Sequence, residues 1–247
     1  TQWVISEAGG DILIAMQTDP TALDWVETRF EKTMNASESL SKLVADAHKT
    51  KKWKQWLIQF PHLFIKYGGP SMSNLQSKSV RWVYMDEVWL FPEGRIREGK
   101  GRTHDRHNSR VIMVSQGGFE GDDLDDEFND SEIHDFGFHC PHCGEFQLYD
   151  FLNQMKYEVV EDGGDFDWPA IYESVHYECK HGGCKIEDTA QNRRAMSCGG
   201  DYISRGNKHK PGKMAYTFTA LALHWITWGK LVEEFITANF EKELGDD

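Results

Sequence analysis

Two groups of residues in this chain have the types and spacing to do chemistry. The first closes the run Val80-Arg81-Trp82-Val83-Tyr84-Met85-Asp86-Glu87. Read as a short buried strand, this run delivers two adjacent carboxylates at its C-terminal end. Such a pair can divide the work of phosphate-anhydride hydrolysis. Asp86 would order Mg²⁺ through its water shell and Glu87 would polarise the attacking water, which is the form of a Walker B element. Parallel α/β sheets bind ligands at the carboxyl ends of their strands, where these acids stand. The bland counterpart is a solvated strand end that does no chemistry.

The second group is four of the five cysteines. Cys140-Pro-His-Cys143-Gly144 has the form of a zinc-ribbon knuckle, and Cys179-Lys-His-Gly-Gly-Cys184 offers a second thiol pair. Two such pairs supply the four thiolates of a tetrahedral Zn²⁺ and leave no open position, so the metal would hold the fold and perform no reaction. The second pair is wider than the usual two intervening residues, and Gly182 and Gly183 provide the freedom to close the wider loop. Competing readings are a thioredoxin-like redox pair and buried structural thiols. The first needs a strand-then-helix context that does not follow Cys143. A structural disulfide does not suit a cytosolic chain. His142, His176 and His181 are possible substitute ligands or surface histidines, and Cys198 is expected as a small core residue.

A third segment imitates a site. Gly94-Arg-Ile-Arg-Glu-Gly99-Lys100-Gly101 nearly matches the phosphate-binding pattern G-x-x-x-x-G-K-[ST]. Its last position lacks the hydroxyl that reaches Mg²⁺, no apolar helix follows, and it stands after the acidic strand rather than before it. It reads as a mobile basic loop. No other segment offers a Walker A loop.

The elements that must position these groups follow from periodicity and punctuation. Asp11–Met16, His62–Tyr67 and Arg110–Ser115 read as buried strands like the acidic one. Asp19 is expected as the N-cap of a helix with Pro20 in its first turn and a core stripe of Leu23, Val26, Phe30 and Met34. Ser37–Phe60 reads as helical or irregular. Strands alternating with helices suggest a parallel sheet covered by helices. From about Asp130 the pattern shifts to short strands and turns. Helix returns at Glu187–Met196, Met214–Thr219 is a last strand, and Thr227–Leu244 is an amphipathic helix through Leu231, Phe235, Ile236 and Phe240.

Composition bounds the alternatives. The chain has 247 residues, of which 39% are hydrophobic, and its nine Trp and fourteen Phe support a real core and exclude wholesale disorder. No apolar run approaches the roughly 20 residues of a membrane span, and no signal-peptide pattern opens the chain, so a soluble intracellular protein is expected. A net charge of −13 argues against a general nucleic-acid coat protein. The charge is uneven: Glu120–Asp135 is acidic and reads as a solvated loop, whereas Lys49–Lys54 and Arg205–Lys213 are basic.

Taken in order, these segments resemble the large terminase subunit of tailed phages, of the GpA type. Gln17-Thr18-Asp19 and the helix after it, Gly69 to Arg81, Asp86-Glu87-Val88 with Phe91-Pro92, and Arg110–Gln116 follow the family's sequence. Phe138-His-Cys140-Pro-His-Cys143-Gly-Glu145-Phe-Gln147, continued by Tyr177-Glu-Cys179, is the most specific piece. The resemblance implies an α/β chain: an incomplete parallel-sheet P-loop-type ATPase core (1–130), a small β-rich zinc-ribbon-like module (131–213), and a final strand and helix (214–247) leading towards a nuclease domain that is missing. It implies a motor that couples ATP hydrolysis to translocation of duplex DNA. Asp86, Glu87, Ser115 and Gln116 would be catalytic and Asp86 would also bind the cofactor. Cys140, Cys143, Cys179 and Cys184 would be the metal ligands. Zn²⁺ would be structural, with Mg²⁺ and ATP acting in the complete protein. Partners would be the terminase small subunit, the portal or prohead and further copies of the chain, in the host cytoplasm and with no membrane.

Three departures stand out. The P-loop and the nuclease are absent, the second cysteine pair is wide, and the coupling motif, commonly Ser-Thr-Pro, is here Ser115-Gln116-Gly117. The fragment would then be inactive by itself. Two other readings remain open from the residues alone: a non-enzymatic zinc-ribbon module that binds protein or DNA, and a helicase or replication ATPase fragment with an inserted ribbon.

Overall fold

The computed structural model describes residues 1–76, 78–162 and 165–244. Ser77, within the segment expected to lead into the acidic strand, lies outside the described residues. Two compact units divide the chain, Thr1–Glu127 and Phe128–Asp247. The architecture is mixed α/β with a sheet that is largely parallel.

In the first unit, strands β1 (Ile12–Ala15), β2 (Trp53–Lys54), β3 (Leu57–Phe60), β4 (Leu63–Gly68), β5 (Trp82–Asp86) and β6 (Arg110–Val114) form one sheet in the order β2-β3-β4-β1-β5-β6. β4, β1, β5 and β6 are parallel, and β2 and β3 add an antiparallel hairpin beyond β4. β1 is buried at every position, as a strand covered on both faces must be. One face packs Ile12 and Ile14 against Val26, Phe30, Met34, Leu40 and Val44, and the other packs Leu13, Val83 and Met85 against Leu75, Val88 and Ile96. β6 ends the order. Its Ile112 is 38% and its Val114 58% exposed, and no strand among the described residues pairs with its outer side.

Several local expectations change. Thr18, not Asp19, caps the first helix: its hydroxyl accepts from the Thr21 amide at 3.2 Å. Asp19 is released for another role at the rim of the sheet. Helix Asp19–Trp25 runs through a wider turn at Val26–Phe30 into Glu31–Asn35, keeping Val26, Phe30 and Met34 buried as the stripe predicts. The end of the Ser37–Phe60 stretch is a hairpin, because Trp56 adopts a left-handed φ of 70° and folds β3 back on β2. Gly94–Gly101 is no loop. Arg95–Gly101 is a helix that buries Ile96 and Gly99, and Gly99 lies so close to Met85 that a Cβ there would collide with its Cε. The acidic stretch also contains a helix, Asp123–Asn129, none of whose residues is buried. Asp122 begins it, accepting from the Leu124 and Asp125 amides.

The second unit holds β7 (Glu132–His139), β8 (Phe146–Leu148), β9 (Met155–Lys156), β10 (Glu161–Asp162), β11 (Asp165–Phe166), β12 (His176–Glu178), β13 (Lys185–Glu187), β14 (Asp201–Ser204) and β15 (Met214–Thr217). β14, β7 and β15 form a sheet with β8 paired to β7, and β13, β12 and β9 form another. The last strand, β15, lies parallel to β7 within this unit. Helix Trp228–Leu244 presents Trp228, Val232 and Ile236 at successive fourth positions to a core of Phe138, Ile171, Tyr177, Ile186 and Met196. Leu231 only flanks this stripe, and Phe240 is 48% exposed. Cys198 is exposed rather than core, because helix Ala190–Cys198 ends there.

The burial of β1 sets an expectation for stability. Ile12→Ala, at a residue with no exposed surface, should lower the unfolding free energy by about 2–5 kcal/mol. Ile112→Ala on the open edge should change it by less than about 1 kcal/mol. Urea unfolding of the two variants beside the parent measures both, and equal losses would contradict the placement of β1 at the centre.

Candidate functional site

The carboxyl ends of β4, β1, β5 and β6 lie along one rim of the sheet, because all four strands are parallel and in register. Ala15 pairs with Gly68 on one side and Met85 on the other, and Asp86 pairs with Val114. Glu87 and Ser115 are the residues that follow this last pair. The rim beyond β4 is tightly built. The Gly69 amide donates to Asp19 Oδ1 at 2.5 Å, and Asn74 Nδ2 donates to the same oxygen at 3.0 Å and to the Gly69 carbonyl at 3.1 Å. A Cβ on Gly69 would stand 2.8 Å from the Asp19 backbone nitrogen, so the close approach there requires glycine.

At the acidic pair the chain turns abruptly. Glu87 has φ 53° and ψ 48°, a left-handed conformation uncommon for a residue with a long side chain. Its Oε2 accepts from the indole Nε1 of Trp89 at 2.8 Å, and the Trp89 backbone amide donates to Ser115 Oγ at 3.0 Å. Both acids are half-buried. Burial pushes the Asp86 carboxyl above its ordinary range and the adjacent Glu87 charge adds to this, while the Glu87 amide and the Arg29 charge partly offset them. A carboxylate disfavoured by burial and by a like charge is relieved by a cation, so the pair fits Mg²⁺. Gln116 follows Ser115 and is exposed.

The cysteine cluster lies in the second unit. The sulfurs of Cys140, Cys143, Cys179 and Cys184 all fall within 4.8 Å of one another, and those of Cys143 and Cys179 are 3.6 Å apart. Four thiolates about 2.3 Å from one tetrahedral ion stand about 3.8 Å apart, so the set fits Zn²⁺. The two loops share one hydrogen-bond frame. The amides of Cys140 and Cys179 donate to the carbonyls five residues on, Glu145 and Cys184. The amides of Gly144 and Gly183 donate back to the carbonyls of Cys140 and Cys179. Both glycines have positive φ, 79° and 59°.

Within that frame the first loop places its second thiol three residues after the first. In the second loop that position is Gly182, and a Cβ there would stand 3.2 Å from Cys184 Sγ. The missing side chain makes room for a sulfur arriving from two residues further along. The wide spacing is thus a regular knuckle with its ligand displaced, a role for Gly182 that spacing alone leaves unassigned. Counting three residues on from Cys179 was the available signal. Trp89, likewise unassigned from the sequence, carries no signal of its own, since its role depends on the turn at Glu87.

Burial pushes the Cys140 thiol up to about 11. Cys179 is also penalised by burial, yet hydrogen bonds from the Gly182 and His181 amides and from the Cys143 and Cys140 thiols together bring it down to about 7. Four thiolates cannot coexist there without a cation. The histidines considered as substitutes go elsewhere: His181 Nε2 lies 3.1 Å from the Phe146 carbonyl and His176 Nδ1 2.8 Å from that of Ser174. His142 is exposed and outside the cluster.

A family model described as phage terminase large subunit gpA, ATPase domain, matches residues 2–200. No curated protein matches the chain. A solved structure of the large terminase from a thermophilic bacteriophage, in complex with ATP-gamma-S, is similar at 13% identity and a TM-score of 0.29. The similarity covers 45% of this chain and 26% of that one, so the chain spans about a quarter of that protein.

Two measurements test the geometry. Metal analysis of the purified chain should return about one zinc per chain. Gly182→Ala, by driving a methyl group against Cys184 Sγ, should weaken zinc retention against a chelator. Full retention by that variant, or free alkylation of all four thiols in the folded chain, would contradict the site.

The second measurement concerns Asp86. A carboxyl whose folded pKa is raised favours the fold while protonated. That contribution disappears as pH rises through the carboxylate range to the folded pKa, and ionised Asp86 is then a standing cost. Asp86→Asn should therefore raise the thermal midpoint at pH 7 in the absence of Mg²⁺ and change it little at the acid end of the range. A lowered midpoint at pH 7 would show that the acid stabilises the fold instead.

Proposed function

Because the chain belongs to the phage terminase large-subunit gpA ATPase-domain family, we propose that it supplies the Walker B side of an ATP-hydrolysing DNA-packaging motor. The observation that supports this most is the placing of Asp86 and Glu87 at the carboxyl end of a central parallel strand, with Ser115 beside them on the next strand. Bound with ATP, Mg²⁺ would supply charge neutralisation at the phosphates. Asp86 would hold its water shell, while Glu87 would orient the attacking water and accept its proton. Ser115 and Gln116 occupy the coupling-motif position. With Gln-Gly following the serine, contact with the γ-phosphate there falls to the Ser115 hydroxyl and the Gln116 amide.

The open edge of β6 is where a further parallel strand would carry a phosphate-cradling loop to the same rim. The helix Arg95–Gly101 is no substitute. Lys100 is committed to an ion pair with Glu127, and Gly99 packs beneath Met85 inside the helix. The chain as given would accordingly hydrolyse ATP negligibly. In the assembled motor its partners would be duplex DNA, the terminase small subunit, the portal or prohead and further copies of itself, acting in the host cytoplasm. Among the described residues no helix is long and apolar enough to cross a membrane. Zn²⁺ on Cys140, Cys143, Cys179 and Cys184 would hold the second unit together.

Paired measurements on the complete motor test the assignment. Asp86→Asn should weaken Mg²⁺-nucleotide binding. Glu87→Gln should leave binding near the parental level and cut turnover on the order of 10²–10⁴-fold, the usual effect of losing a general base. Packaging at the parental rate by Glu87→Gln would end the Walker B reading, as would steady hydrolysis by the present chain that survives that substitution.

A further inference from the structure

Trp89 has no role in the chemistry assigned so far, yet it makes both polar contacts that define the end of β5. Its indole donates to Glu87 Oε2 at 2.8 Å and its backbone amide donates to Ser115 Oγ at 3.0 Å. The short turn Val88–Leu90 that carries it is fixed independently. The Leu90 amide donates to the Glu87 carbonyl at 3.0 Å and the Phe91 amide to that of Val88 at 2.9 Å, while Val88 is buried in the core beneath the sheet. The left-handed backbone at Glu87 is what brings side chains 87 and 89 within reach of each other.

We propose that Trp89 is a positioning residue for Glu87, and that through Ser115 it joins the base and the coupling strand into one mechanical unit. The inference rests on reading Glu87 as the water-polarising acid. Its chemistry suits that task. An indole N–H is a donor only and carries no charge, so it fixes a carboxylate without neutralising it as a lysine or arginine would. The contact occupies Oε2 and leaves Oε1 to face a water. Because the turn is closed as one unit and its Trp89 amide is held by Ser115, a displacement of the β6 end that carries the turn with it moves the indole and the carboxylate together. The orientation of Glu87 therefore follows the position of Ser115 without direct contact between them.

The bond can be read first in the chain itself, by its side-chain indole signals in a ¹H–¹⁵N correlation spectrum. Nine tryptophans give nine such signals, and the one lost in Trp89→Phe is Trp89. Glu87→Ala should move that signal upfield, and Ser115→Ala, which keeps the indole, should move it as well. A Trp89 signal unmoved by Glu87→Ala overturns the proposal.

The role is then read in the complete motor. Trp89→Phe should lower kcat on the order of 10- to 100-fold, the effect of a misplaced reacting group, with KM for ATP within about twofold of the parent. A parental kcat in Trp89→Phe, alongside a Glu87→Gln variant that has lost turnover, overturns the positioning role and leaves Glu87 as the base. Parental turnover in Glu87→Gln overturns the base assignment itself. Should Trp89→Phe fail to fold, Trp89→Leu, which likewise removes the indole donor, carries the same kinetic test: an intact kcat counts against the proposal and a lowered kcat with KM preserved supports it.

Discussion

Everything at the acidic rim depends on the parallel registration of β1 between β4 and β5. Parallel pairing makes all four strands end on the same side, and only because they end together are Glu87 and Ser115 joined through Trp89. Registration in turn depends on burial. β1 is covered on both faces, so a slip by one residue would exchange Ile12 and Ile14 for Leu13 and Ala15 against helices shaped for the others. The glycines beyond β4 sit close under Asp19 and Asn74 and reinforce the same alignment from the rim. Chemistry and packing are therefore not separable in the first unit.

The second unit meets a different constraint. Its strands are short, several of only two or three residues, and short strands hold little by hydrogen bonding alone. The buried residues converge instead on the cysteine loops, with Phe138, Tyr177 and Ile186 next to Cys140 and Cys179. A buried polar link closes the far side. Arg193 pairs with Asp188 and donates from Nε to the His224 carbonyl, and Asp188 accepts from the Gly229 amide where the last helix begins.

How much of this was legible in the sequence varies with the range of the interaction that decides it. The acidic strand and the first cysteine knuckle were legible because each is a local pattern: an apolar run ending in two acids, and two thiols followed by a glycine. The hairpin at Trp53–Phe60 was not, since its turn depends on a left-handed tryptophan that no propensity favours. Nor was helix Arg95–Gly101, whose glycines look like a loop until Gly99 is seen beneath Met85. Thr18 and Asp19 are both good caps, and only the distant Gly69 amide decides which one turns to the helix and which to the rim. Strand order is set entirely by pairings far apart in the chain, and periodicity does not contain it.

The displaced thiol of Cys184 has a consequence for how such loops are recognised. A pattern that demands two thiols separated by two residues on both sides would pass over this chain, although the loop carrying Cys184 keeps the backbone bonds of an ordinary knuckle. What identifies the loop is the pair of reciprocal amide-to-carbonyl contacts, with glycine at the fourth place. The sulfur that joins the cluster comes from the third place in one loop and the fifth in the other, where the third place carries no side chain. A definition written in backbone bonds rather than letter spacing would group this loop with its regular counterparts, and would treat a glycine in the vacated place as part of the signature.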